Sequence, residues 1–222
     1  MKILFQGDSI TDGNRYKDEE SRWDKNHQIG HSYVYIITGL LGLKYPERDY
    51  EFINRGISGN RVRELEARWQ EDALDINPDV LSILVGVNDA NHPFDDEIND
   101  TGCEKYEKSY RSILQKSREQ NPNLKIVLLE SFTCEDVIGE TRASAEIRVE
   151  RLKSIQKIVR KLAKEFDAIF IPLSDVFKKA IESKNARYWL WDGVHPTEAG
   201  HALIAREFLD KTKSIFDSDV NL

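Results

Sequence analysis

The chain has 222 residues, and 32 Lys and Arg against 39 Asp and Glu leave a formal net charge of −7. That acidic balance argues against a partner rich in phosphate, whether nucleic acid or an anionic membrane surface. A hydrophobic content of 40% excludes a chain disordered throughout. One domain spanning residues 1–222 is expected, without repeat, linker or low-complexity segment. Cys103 and Cys134 have neither a metal-binding nor a redox spacing. The apolar run at residues 3–5 is too short for a secretory signal, and no run of 18 apolar residues occurs, so a cytoplasmic protein is expected.

In chain order, residues 2–6 read as a buried strand closed by Gly7. Residues 31–44 follow as a helix with Val34, Ile37, Leu40 and Leu41 on one face and Pro46 beyond its end. A second strand at 50–54 runs into a glycine-containing loop, and residues 61–75 carry Val62, Leu65, Trp69 and Leu74 at helical spacing. A third strand at 80–85 closes at Gly86, and a helix at 104–120 aligns Tyr106, Tyr110, Ile113 and Leu114. Strands at 124–129 and 168–171 flank a helix at 144–166, whose apolar face includes Ile147, Leu152, Ile155 and Val159. Its charged run, 146–164, reads as a solvated face. A last helix at 197–210 carries Leu203, Ile204, Phe208 and Leu209. This alternation predicts an α/β fold with a parallel sheet, in which ligands sit beyond the carboxyl ends of the strands.

Four polar blocks fall at that edge. Ser9, in Gly-Asp-Ser-Ile-Thr, follows the first strand and is either an exposed hydroxyl with a free backbone N–H or a turn former. Asn54 to Asn60 holds Gly56 and Gly59, which suggests positive φ or close backbone approach; the Gly59 N–H is an anion donor or part of an ordinary turn. Asn88, in Gly-Val-Asn-Asp, offers an amide to a developing oxyanion or caps the next segment. In Asp192-Gly-Val-His195-Pro196, the proline holds His195 in extended backbone. Asp192 can then orient the imidazole, or the pair is an Asx turn with a capping histidine.

Taken together and in this order, the blocks resemble the SGNH hydrolases, the esterases and lipases also called GDSL. Ser9, Gly59, Asn88 and His195 stand at the four positions that give the family its letters, with Ile10 in place of the usual leucine. The stretches from Asn54 to Trp69 and from Trp191 to His201 are similar to the bacterial acetylxylan-esterase branch. The resemblance implies a three-layer α/β/α fold with a five-stranded parallel sheet of flavodoxin-like order. It also implies a serine esterase that works through an acyl-enzyme: Ser9 is the nucleophile, His195 the base and Asp192 its partner. The Ser9 and Gly59 N–H groups and the Asn88 amide form the oxyanion hole. The substrate would be a small-molecule or oligosaccharide ester, foremost an acetylated xylo-oligosaccharide, with no cofactor and no metal, and a homo-oligomer is expected. Lysophospholipase or thioesterase activity within the family, and a metal-dependent phosphoesterase built from Asp8, Asp12, Asn88, Asp89, Asp192 and His195, are the alternatives.

Four aromatics near these blocks, Trp23, Tyr188, Trp189 and Trp191, are divided between sugar contact and packing. Trp191, with Asn60, is the preferred substrate contact. His27, His31, His92 and His201 show no metal-ligand spacing, and His201, inside a helical pattern, reads as structural. Asp8 and Asp12 are expected to shape the loop after the first strand.

Overall fold

A computed structural model of the chain describes residues 1–17, 25–100, 103–134 and 142–217. Strands β1 (Lys2–Gly7), β2 (Glu51–Asn54), β3 (Val80–Leu84), β4 (Lys125–Leu129) and β5 (Ile169–Ile171) form one sheet in the order β2-β1-β3-β4-β5. Every pairing is parallel, for example Ile3 with Phe52 and with Val80. This is the doubly wound flavodoxin-like order. Each strand lies within one residue of its expected bounds at either end.

The strands are apolar on both faces because both are covered, as parallel sheets require. Ile3, Phe5, Val127, Leu129 and Ile171 pack on one side against α3 (Tyr33–Lys44) and α10 (Glu198–Lys211), through Val34, Ile37, Leu41, Leu203, Ile204 and Phe208. Leu4, Leu81, Ile83, Ile126 and Leu128 pack on the other against α4 (Val62–Ala67), α6 (Glu104–Gln120) and α7 (Arg142–Glu165). Successive residues thus point to opposite layers, and a one-residue slip of any strand would exchange its two cores.

The remaining helices are α1 (Ser9–Asp12), α2 (Lys25–Ile29), α5 (Val87–Asn91), α8 (Leu173–Ser183), α9 (Ala186–Trp189) and α11 (Lys213–Asp217). Among the described residues no helix is long and apolar enough to cross a membrane.

Four expectations need correction. The segment 61–75 is not one helix: α4 stops at Ala67 and a π-helical turn spans Gln70–Leu74. Between them Trp69 is buried, its indole N–H donating to Ser117 Oγ at 3.0 Å. Leu40 lies at the edge of the stripe made by Val34, Ile37 and Leu41 and is 46% exposed. Ile147, placed on the apolar face of α7, is 55% exposed. The charged run of α7 is not wholly solvated either, since Arg148 and Arg151 are buried.

The imidazole of His201 joins α10 to α3 within one helical layer, because its Nδ1 accepts the Tyr33 N–H at the start of α3 at 3.1 Å. Burial lowers its pKa to about 4, against the pull of Glu198. A histidine held neutral in the fold stabilises it fully above the unfolded pKa near 6.5, and that contribution is lost as pH falls toward 4. The expected loss between pH 7 and pH 5 is about 2 kcal/mol, measured as the difference in urea-unfolding free energy at the two pH values. In His201→Gln this component of the pH dependence should vanish. An unchanged dependence would remove His201 as its source.

Candidate active site

β1 delivers the chain to Asp8, whose carboxylate caps α1 by accepting the Ile10 N–H at 3.0 Å and so places Ser9 at the first helical position. Burial pushes the Asp8 carboxyl up to about 7, opposed by the Ile10 N–H and by His195. Asp12, at the end of α1, accepts the N–H of Arg15 and, on its other oxygen, that of Ser58 at 3.0 Å. This bond ties the loop after β2 to α1. Gly56 packs so closely on Asp12 that an added Cβ would lie 2.4 Å from its backbone nitrogen, and Gly59 has φ of +82°. Both glycines are therefore demanded by the backbone.

In the loop between α9 and α10, Asp192 does two things at once. Its Oδ1 accepts the N–H groups of Val194 and His195 at 3.0 and 2.7 Å, which makes the Asx turn, and its Oδ2 meets His195 Nδ1 at 2.6 Å. His195 does not cap α10, whose N-cap is Thr197. Its Nε2 lies 2.9 Å from Ser9 Oγ. With the proton on Nδ1 facing the carboxylate, Nε2 is the acceptor for the serine hydroxyl. Burial works to raise the Asp192 pKa, but the backbone and ring N–H groups of His195 outweigh it and hold the carboxyl below its ordinary range.

Three donors come from the segments that follow β1, β2 and β3. Neither the Ser9 nor the Gly59 N–H has a hydrogen-bond acceptor among the described residues. Asn88 sits inside α5 and does not cap it, the N-cap being Gly86. Its amide donates one hydrogen to the Asn60 carbonyl at 3.1 Å, which fixes the group and leaves the second hydrogen available. The Asn60 side chain is engaged elsewhere, accepting from Arg68 Nε at 3.0 Å. Asp89 turns away and accepts the Val62 N–H at 3.1 Å; burial raises its pKa to about 8.

Trp191 is 57% exposed and stacks on His195, with ring centroids 5.7 Å apart and planes inclined by 21°. Trp189 packs partly buried against the core, and Tyr188 is exposed. Trp23 lies outside the described residues. Among the described residues no three His, Cys, Asp or Glu side chains gather as a metal site would require.

From His195 a cleft of about 580 Å³ opens toward α7, walled by Asn88, His92, Ile98, Arg148, Arg151 and Asp192. That volume is in the range of small-molecule sites. Sequence reading missed the two arginines. Arg148 and Arg151 share the i, i+3, i+4, i+7 stripe with Leu152 and Ile155, and cations on an apolar stripe are the signal that could have found them.

Residues 5–203 match the model of the GDSL-like lipase/acylhydrolase family. The chain is 34% identical to an acetylxylan esterase of Geobacillus stearothermophilus over 94% of its own length and 92% of that protein. In structure it is similar to a putative GDSL-like lipase from Parabacteroides merdae (TM-score 0.86, 39% identity, 96% and 95% of the two chains). It is also similar to the Geobacillus acetylxylan esterase Axe2 (TM-score 0.78, 32% identity, 95% and 93%). With the flavodoxin-like sheet and the serine, glycine, asparagine and histidine blocks gathered at its carboxyl edge, these matches establish that the chain belongs to the GDSL-like lipase/acylhydrolase family and is a carboxylic ester hydrolase.

Proposed function

We propose that the enzyme removes acetyl groups from acetylated sugars, foremost xylo-oligosaccharides, through an acyl-enzyme on Ser9. The observation that carries this reading is the chain of contacts from Ser9 Oγ to His195 Nε2 at 2.9 Å and from His195 Nδ1 to Asp192 Oδ2 at 2.6 Å. In the first step Ser9 Oγ attacks the ester carbonyl as His195 takes the hydroxyl proton, and Asp192 balances the imidazolium. The carbonyl oxygen becomes negative and is met by the Ser9 and Gly59 N–H groups and the Asn88 amide. The intermediate collapses as His195 returns the proton to the leaving alcohol oxygen. A water, deprotonated by the same histidine, then attacks the acyl-serine; the bond from the acyl carbon to Oγ breaks, Ser9 Oγ takes the proton back from His195, and acetate leaves.

Sequence relatives support the same roles. Solved structures of Axe2 include three described as catalytic mutants, in which a serine, an aspartate and a histidine are each replaced by alanine. Other structures of that protein describe it as an acetyl-xylooligosaccharide esterase. The exposure of Trp191 and its stacking on His195 support a contact between its ring and the apolar face of a sugar. Asn60 contributes by holding Asn88.

The test is acetate release from acetylated xylo-oligosaccharides, together with p-nitrophenyl acetate and octanoate. The acetyl ester is expected to be the better substrate. Six further methylenes would each contribute about 0.8 kcal/mol only against an apolar wall that receives them. A higher kcat/KM on the octanoyl ester, with no acetate from the oligosaccharides, would overturn the assignment.

A further inference from the structure

The loop that carries Gly59 and the helix that carries Asn88 grip each other at three points. The Asn88 amide donates to the Asn60 carbonyl at 3.1 Å, and the Arg61 guanidinium donates to the His92 carbonyl at 2.9 Å. The Val62 N–H donates to the Asp89 carboxyl, lying 3.1 and 3.3 Å from its two oxygens. This last bond is the buried one: Asp89 is 6% exposed and Val62 wholly enclosed, whereas the Arg61 bond lies at the surface. A bond shielded from water is the stiffer restraint.

Gly59 stands one residue before Asn60. A Cβ built on it would find no atom within 4 Å, so packing does not place its N–H. Bonds on either side of it do. Before Gly59, the N–H groups of Ile57 and Ser58 go to the Gly7 carbonyl and the Asp12 carboxylate, which fixes the loop against β1 and α1. After it, Val62 goes to Asp89 on α5. The further bonds of Asn60, to the Ile57 carbonyl and from Arg68, stay within residues 57–68 and cannot fix that stretch against α5.

We propose that Asp89 is a positioning residue for ester hydrolysis: by holding the Val62 N–H it sets the Asn88 amide and the Gly59 N–H at the spacing that one oxyanion requires. The proposal rests on the reading of these two groups as oxyanion donors and adds to it a residue that touches neither substrate nor the reacting atoms. Donors act at full strength only when already in place, and a misplacement of about 1 Å can cost about 10²-fold. Asp89 supplies an acceptor and not a charge. Burial, opposed by the Val62 N–H and helped by Glu97 and Asp8, raises its pKa to about 8, so an amide is a close replacement at neutral pH.

The test measures kcat and KM on p-nitrophenyl acetate for Asp89→Ala and Asp89→Asn, each alone and combined with Asn88→Ala, with urea unfolding to normalise to folded chain. Asp89→Ala is expected to lower kcat about 10- to 100-fold with KM nearly unchanged. Asp89→Asn keeps an acceptor oxygen and should stay within about threefold of wild type, the scatter of uncoupled changes. In the Asn88→Ala background, Asp89→Ala should cost no more than about threefold further. There the second donor is gone, and Gly59 is still tied to α1 through Ser58 and Asp12. A purely structural loss would multiply instead.

Should Asp89→Ala fail to fold, Val62→Pro breaks the same bond from its other end. Val62 is the first residue of α4, where proline is tolerated, and Arg61 before it is already extended, with φ of −104° and ψ of 168°. It is expected to reproduce both the loss of kcat and its disappearance in Asn88→Ala. A near-normal kcat without the bond, an Asp89→Asn as slow as Asp89→Ala, or the same factor lost in both backgrounds overturns the proposal and leaves the oxyanion reading standing. Near-normal kcat in Asn88→Ala alone overturns both, and that single variant shows it.

Discussion

Ser9→Ala is expected to abolish ester hydrolysis, lowering kcat by about 10⁴- to 10⁶-fold, the range that loss of a serine nucleophile produces in hydrolases of this chemistry. The reason is local. Ser9 Oγ is the atom within 2.9 Å of His195 Nε2, and without it the histidine has no proton to take in the acylation step. The fold should hardly notice, because the hydroxyl is only partly buried and its removal costs one hydrogen bond of about 1 kcal/mol. Asp8 continues to cap α1 through Ile10 whatever side chain follows it. A serine-directed phosphonate should add one equivalent to the wild-type chain, on the peptide containing Ser9, and none to the variant. A chelator should leave turnover unaffected. Activity lost to chelator and restored by a divalent cation, or substantial turnover by Ser9→Ala, would sink the nucleophile assignment.

What the sequence discloses of this site depends on whether a residue's partner is near in the chain or far. The five strands are legible because each is a short, doubly buried run, and the sheet order follows once the alternation with helices is read as doubly wound. Asp192 and His195 are also legible, since three residues and an Asx turn fix their relation locally. The Ser9–His195 contact spans 186 positions, and nothing in either block alone specifies it. It follows from the sheet bringing both loops to one edge. Helix α8 was missed although Leu173, Val176, Phe177, Ala180 and Ile181 repeat at helical spacing after Pro172. The break in 61–75 was not legible, because Trp69 turns inward for a partner, Ser117, on a distant helix. The same is true of Arg148 and Arg151. Reading all charges of α7 as solvated treats the helix as if nothing polar waited on its inner face.

Asn88→Ala is expected to lower kcat by about 10²–10³, or roughly 3–4 kcal/mol of transition-state stabilisation, with a smaller effect on KM. The Asn88 amide has two hydrogens, and the Asn60 carbonyl at 3.1 Å takes one. The other has no acceptor among the described residues and, in the proposed mechanism, is the one that meets the acyl oxygen. A donor held in this way costs no reorganisation when the oxygen becomes negative, so its contribution grows from ground state to transition state. The competing reading, helix capping, predicts a different pair of numbers. A lost cap costs about 1 kcal/mol of stability and leaves the rate of the folded enzyme alone. Geometry already separates them in part, because Gly86 and not Asn88 occupies the N-cap of α5. Steady-state kinetics and urea unfolding on the same purified variant complete the separation. Asn88→Asp is the sharper companion, since it keeps the size of the side chain but presents a carboxylate where a donor is needed. It should be at least as slow as the alanine variant, because an ionised acceptor repels the oxyanion that the amide would hold. Near-normal kcat in Asn88→Ala with a lowered unfolding midpoint would return Asn88 to a structural role and leave the oxyanion to the two backbone N–H groups.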